Sequence, residues 1–319
     1  MANILVTFPI EPNYREILEK AAPTAEFLYC TPDNLKDDDL KQAEIIIGNI
    51  PADMLKVCDN LKWMQLFTAG TDGFVAALSE NTVLTNATGA YGLAISEYLI
   101  AYILMLMKNL HLYYDNQKAH KWAGAGPIKS IYGSKVLVMG LGDIGSEFAK
   151  KIHGLGAEVY GIRRNKTNKP DYLEGLYQMD GLDNLLPEMD VVVTCLPNTS
   201  ETQKTFDARR FALMKKGAIF VNIGRGVSVD TDALTAALES GHLGGAAVDV
   251  TDPEPLPADH PLWDAPNAIV TPHISGFFYL QETFERMLKI VEYNLKAYFS
   301  GQELKNVVDF KTGYRKFTN

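Results

Sequence analysis

The sequence predicts an α/β protein made of two doubly wound parallel-sheet domains, the second inserted into the first. Three observations predict it. Short β-branched runs alternate with helical patterns along the chain. A glycine-rich turn opens a second such alternation at Gly140. The last amphipathic helix is followed by a tail too short to form a domain, which must rejoin an earlier one. A length of 319 residues also suits two domains better than one.

In the first hundred residues, strands are expected at 4–7, 25–29, 45–48, 64–67 and 83–85, with helical stretches at 14–21 and 52–57 between them. A single long helix is expected over 95–118, buried because its first half is apolar all round. A loop rich in Gly and Pro over 123–133 leads into strands at 135–139, 158–162, 191–195, 218–222, 246–249 and 268–270. Helices fit between them at 144–153, 207–214 and 231–240. The last helix, 280–299, repeats Leu280, Phe284, Met287, Leu288, Val291, Leu295 and Phe299 at three- and four-residue steps, and Gly301 stops it. This divides the chain into one domain of 1–100 with 286–319 and another of 101–285, with crossings near 97–103 and 277–288.

Bulk properties narrow the function. Thirty basic against 39 acidic residues give a net charge of -9, which disfavours a nucleic-acid backbone binder. Cys30, Cys58 and Cys195 are odd in number and widely spaced, so neither a disulfide framework nor a metal site is expected, and a cytoplasmic setting is. The N-terminus reads as a first strand, not as a signal peptide. The longest apolar run is ten residues, 98–107, whereas a membrane span needs about 20.

The run Gly140, Leu141, Gly142, Asp143, Ile144, Gly145 follows an apolar strand and opens a helix, the context a dinucleotide-binding turn requires. Gly140 allows the tight turn, Gly142 admits the pyrophosphate, and Gly145 lets helix and strand pack closely. At the end of the next strand, NAD-binding domains usually carry an acid for the ribose 2′-hydroxyl. Here Arg163 and Arg164 occupy that place, which suits a 2′-phosphate. NADP(H) is therefore the expected cofactor, with NAD(H) left open.

Three polar clusters fall at later strand ends, where open α/β sheets bind ligands. They are Asn222 to Gly226 around Arg225, Asp249 to Glu254, and Thr271 to Gly276 around His273. Together with Cys195-Leu196-Pro197, Glu254-Pro255-Leu256, Pro261-Leu262-Trp263 and the first-domain residues Thr68 to Gly73, Asn86 and Glu97, these segments resemble, in order, the D-isomer-specific 2-hydroxyacid dehydrogenase family. The tail, with Asn306, Asp309, Gly313 and Tyr314, is similar to its glyoxylate/hydroxypyruvate reductase branch.

The resemblance implies a Rossmann domain inserted into a flavodoxin-like substrate domain, with the site in the cleft between and hinge closure on binding. It implies that Arg225 binds the substrate carboxylate and polarises the carbonyl, that His273 delivers a proton, and that Glu254 hydrogen-bonds His273. Asp249 would orient the nicotinamide amide. Leu196, Pro197, Thr202, Ile223, Gly224, Ser275 and Gly276 would contribute further cofactor contacts, and Ala69 and Gly70 would hold the carboxylate through backbone N–H groups. The chemistry agrees, since reducing a 2-oxoacid builds negative charge on the carbonyl oxygen and needs a proton donor and a cation beside it.

The expected partner is thus a small 2-oxoacid or 2-hydroxyacid, without nucleic acid or membrane, and the family is usually homodimeric. Phosphoglycerate and D-lactate-type dehydrogenases are alternative enzymes of the same kind. A dinucleotide-sensing corepressor is the alternative of another class, disfavoured by the lack of a basic face or long tail. Phe277 and Phe278 depart from the family pattern, either packing the start of the last helix or narrowing a pocket.

Overall fold

A computed structural model describes residues 1–165 and 168–316; residues 166–167 and 317–319, which fall inside the two expected domains, lie outside the described residues. The chain divides into two units, Met1–Tyr91 with Phe278–Asn319, and Gly92–Phe277. The crossings fall at 91 and 277, against boundaries expected at 100 and 285 within windows of 97–103 and 277–288. The reason is that each flanking helix stays whole: Gly92–Met107 belongs entirely to the second unit and Gln281–Ser300 to the first.

The first unit carries five parallel strands, β1 (Ala2–Val6), β2 (Ala25–Tyr29), β3 (Ile45–Ile47), β4 (Trp63–Gln65) and β5 (Val83–Thr85), in the order β2-β1-β3-β4-β5. This is the flavodoxin-like doubly wound order. Both faces are covered, so strands such as Ile45-Ile46-Ile47 are apolar without alternation. One face packs Leu5, Ile46, Met64 and Leu84 against Leu40, Leu55, Phe74 and Val308. The other receives helix Gln281–Ser300, through a Trp63–Tyr298 ring stack at 5.2 Å and a buried hydrogen bond from Asn294 to Gln65. That helix ends at Gly301 with φ 69°, as a left-handed stop requires.

The second unit carries seven parallel strands: β6 (Lys135–Met139), β7 (Glu158–Ile162), β8 (Gly175–Tyr177), β9 (Val191–Thr194), β10 (Ile219–Asn222), β11 (Gly245–Val248) and β12 (Ala268–Val270). Their order is β12-β11-β10-β9-β6-β7-β8, with the direction of winding reversing between β6 and β9. One face buries Leu137, Val192 and Phe220 with Phe206, Phe211 and Leu238. Buried residues of helices Gly92–Met107 and Asp143–Gly154, among them Leu99, Ile103, Phe148 and Ile152, belong to the rest of this unit's core.

Two expectations need correction. The helix expected over 95–118 is two helices, Gly92–Met107 and Leu110–Lys118, bent by 68°. Asn109 breaks it: its φ is 56°, and its amide donates to the carbonyls of Ala125 and Pro127, tying the following loop back to the break. No single helix among the described residues is long and apolar enough to cross a membrane. Strand β8 was not expected, because its three residues carry no periodicity and exist as a strand only through pairing with β7. The tail ends in a short antiparallel pair, β13 (Val308–Asp309) and β14 (Tyr314–Arg315), in the first unit.

Candidate active site

The strand ends of the second sheet are joined by a series of close backbone approaches. After β6, a Cβ on Gly140 (φ 91°) would lie 2.9 Å from the carbonyl oxygen of Cys195, which follows β9. A Cβ on Gly224, after β10, would lie 2.5 Å from the carbonyl oxygen of Leu196. On Gly226 it would lie 1.8 Å from the carbonyl oxygen of Thr251, after β11. Only glycine fits these three places. The β6–β9 approach is the topological switch point, where doubly wound sheets bind their ligands.

Gly142 caps helix Asp143–Gly154, and a Cβ on Gly145 would lie 2.0 Å from the carbonyl oxygen of Gly140, so turn and helix are in contact. The half-buried Asp143 and Ile144 stand in the first turn of that helix, whose N–H groups favour an anion. The Asp143 carboxylate accepts the N–H of Gly92 at 3.0 Å, at the start of another helix. The cradle therefore fits a pyrophosphate in shape and polarity. Arg163, half-buried, and Arg164, exposed, follow β7 as expected.

Leu196 is buried and Pro197 half-buried after β9. The Thr202 hydroxyl donates to the Pro197 carbonyl at 2.6 Å and accepts from the Thr199 N–H at 2.9 Å. It thus closes its own loop rather than facing outward. Ile223 and Gly224 are buried behind Arg225, whose carbonyl is held by the Asn222 amide and the Ser228 hydroxyl. The loop backbone is fixed at both sides of a half-buried guanidinium.

Asp249 is the centre of the next two strand ends and is 2% exposed. Its Oδ1 accepts from the Thr271 hydroxyl at 2.6 Å and the Ile274 N–H at 3.0 Å; its Oδ2 accepts from the Ser275 N–H at 3.0 Å and hydroxyl at 2.5 Å. The Asp249 carbonyl also accepts the His273 N–H at 2.8 Å. These bonds hold His273 at φ 52°, a left-handed conformation that costs a side-chain-bearing residue about 1 kcal/mol or more. The Thr271 hydroxyl has one proton and gives it to a group that can only accept, so the Tyr102 hydroxyl, 2.7 Å away, donates to Thr271. Burial pushes the Tyr102 hydroxyl up to about 12, keeping it protonated.

His273 Nδ1 lies 2.7 Å from Glu254 Oε1. A carboxylate accepts, so Nδ1 carries the hydrogen and Nε2 is the outward nitrogen. The Glu254 loop is itself held by Thr231 and Thr251 hydroxyls donating to the carbonyls of Asp252 and Pro253. Gly276 is half-buried beyond Ser275.

Ala69 and Gly70 belong to the first unit, in the loop after β4. Their carbonyls are tied back, Ala69 to the Asn86 amide at 2.8 Å and Gly70 to the Thr68 hydroxyl at 2.9 Å. Among the described residues no acceptor meets their N–H groups. Phe278 packs in the same unit against Phe67, Tyr91 and Phe284, at centroid distances of 5.5, 6.2 and 5.7 Å. It thus packs at the start of the last helix, whereas Phe277 is exposed.

A glycine cradle at the switch point, with a histidine–carboxylate pair and an arginine on neighbouring strand ends, defines a class: nicotinamide-dependent oxidoreductases. Residues 100–275 match the model of the D-isomer specific 2-hydroxyacid dehydrogenase, NAD binding domain. Glyoxylate/hydroxypyruvate reductase B of Escherichia coli is 34% identical over 281 residues, covering 84% of this chain and 85% of that one. A D-isomer specific 2-hydroxyacid dehydrogenase family structure from Aeromonas salmonicida superposes with a TM-score of 0.87 at 32% identity, over 97% of this chain and 99% of the other. An NADPH-dependent glyoxylate/hydroxypyruvate reductase from Sinorhizobium meliloti, solved with NADP and sulfate, gives 0.84 at 27% identity, over 98% and 100%. This chain belongs to the D-isomer specific 2-hydroxyacid dehydrogenase family, oxidoreductases acting on CH–OH groups.

Sequence reading missed Tyr102, which looks like any aromatic residue on an apolar helix, and gave Thr271 no task although it opens the histidine cluster. Replacing Asp249 by Asn tests their arrangement. The amide NH₂ would face at least one pair of N–H or O–H donors, and leaving buried donors unmet costs about 1–3 kcal/mol. Chemical denaturation should show a loss of that size; unchanged stability contradicts the hub.

Proposed function

We propose that this protein is an NADPH-preferring reductase of a small 2-oxoacid of the glyoxylate or hydroxypyruvate type. The observation that carries the reading is the 2.7 Å bond between His273 and Glu254, which turns His273 Nε2 outward on a loop fixed by Asp249. Arg225 holds the substrate carboxylate in its planar fork and draws electron density from the adjacent carbonyl. The charged ring of His273, protonated at both nitrogens, delivers its Nε2 proton to the carbonyl oxygen and is left neutral, and the Glu254 carboxylate stabilises the charged form that makes this donation. The bound nicotinamide supplies the hydride. Asp249 acts by holding the histidine loop, because both of its oxygens are already taken by that loop. Within the first unit, the N–H groups of Ala69 and Gly70, which meet no acceptor among the described residues, are fitted to receive a carboxylate.

The choice of NADPH rests on Arg163 and Arg164 at the end of β7, where an acid would repel a 2′-phosphate. The substrate type rests on the names of the relatives at 34% and 27% identity. We also propose a homodimer. Leu110, Tyr114, Trp122, Ile128 and Tyr132 are exposed on and after helix Leu110–Lys118, apolar side chains that a second copy of the chain would cover.

NADPH oxidation with a panel of 2-oxoacids tests the activity, and glyoxylate and hydroxypyruvate should give the highest kcat/KM. His273→Ala should lower kcat by about 10²–10⁴-fold; near-native turnover would remove His273 from its role. A charge-assisted hydrogen bond contributes about 1.5–3 kcal/mol. Arg163→Asp should therefore shift the NADPH/NADH ratio of kcat/KM by about 10- to 100-fold toward NADH, and an unchanged ratio refutes the assignment. Light scattering should give twice the chain mass of 35.3 kDa, and a monomer refutes the dimer.

A further inference from the structure

The C-terminal tail reaches the loop of Ala69 and Gly70 through a continuous set of hydrogen bonds, all within the first unit. Asn294, fully buried on the last helix, grips the backbone of Lys305 at both ends: its amide donates to the Lys305 carbonyl at 3.1 Å and its oxygen accepts the Lys305 N–H at 2.8 Å. The next residue, Asn306, stands at φ 58° and donates its amide to the carbonyls of Thr88 at 2.7 Å and Asn86 at 3.2 Å. Its own carbonyl accepts the Asn86 N–H at 3.2 Å. Asn86, also fully buried, passes the contact on, its amide donating to the Ala69 carbonyl at 2.8 Å. A second tail contact comes from the Gly313 carbonyl, which accepts the Thr71 hydroxyl at 2.6 Å.

A backbone N–H points the opposite way from the carbonyl of the same peptide plane. The Ala69 carbonyl shares its plane with the Gly70 N–H, so fixing the one direction fixes the other. The Gly70 N–H is thereby aimed by a residue 236 positions further along the chain. We propose that Asn306 and Asn86 are positioning residues for substrate, and that the tail sets affinity for the substrate carboxylate by orienting the Gly70 N–H. This rests on the reading that the Ala69–Gly70 loop receives that carboxylate.

Glycine keeps the left-handed backbone at 306 while deleting the amide. Asn306→Gly should raise KM for the 2-oxoacid about 10-fold, with kcat at saturation and the NADPH dissociation constant both within about twofold of wild type. Asn86→Asp should raise KM further, because a carboxylate cannot donate to the Ala69 carbonyl and sets a like charge beside the anion. Unchanged KM in both variants, or a parallel loss of NADPH affinity and thermal stability, overturns the proposal. Calorimetric titration of the protein, with NADP bound, against oxalate separates the two readings. Weakened oxalate binding in Asn306→Gly supports the tail's role even if wild type reduces no 2-oxoacid, an outcome that would sink the activity alone. No oxalate binding by wild type overturns the tail's role.

Discussion

The Asp249 carboxylate is the interaction on which the second unit's chemistry depends. It is buried and receives four hydrogen bonds from three residues of one five-residue segment. Without those bonds the segment would have no reason to keep His273 in a left-handed backbone state. With them, the histidine meets Glu254 at bonding distance although both side chains remain partly open to solvent. A buried anion is tolerated here because its hydrogen-bond capacity is used.

The same principle operates without charge along the remaining strand ends. Gly140, Gly224 and Gly226 each admit a carbonyl oxygen from the neighbouring strand's loop into the space a side chain would need. The glycines and Asp249 between them link the loops after β6, β9, β10, β11 and β12 in spatial order. The arginine and histidine thus sit on a shelf made almost wholly of backbone. A substitution there has no side chain to displace and must move main chain instead.

Much of this was legible in the sequence. Strands β2, β5, β6, β7 and β12 match their expected ranges, because each is a β-branched or aromatic run bounded by turn residues. The clusters around Arg225, Glu254 and His273 were legible as polar segments at strand ends, and the family resemblance supplied the roles expected of them. What stayed hidden has no local trace. Strand β8 exists through its neighbour, the break at Asn109 depends on carbonyls 16 and 18 residues away, and Tyr102 acts through a threonine 169 residues on. Thr202 and Ser275, expected to face a cofactor, spend their hydroxyls on the protein itself, a distinction of direction that spacing cannot express.

The first unit is assembled from the two ends of the chain, and this has a consequence for its synthesis. Val308 is 2% exposed in the core beneath β5, and Trp63 needs Tyr298 for its stacking partner. Neither is present while the ribosome is still making the middle of the protein. The seven-stranded unit has all its strands by Val270, so it can close first, while the five-stranded sheet waits for the last helix of one face. For that interval Trp63 lacks its ring partner, and apolar surface that the finished unit buries stays open on the nascent chain.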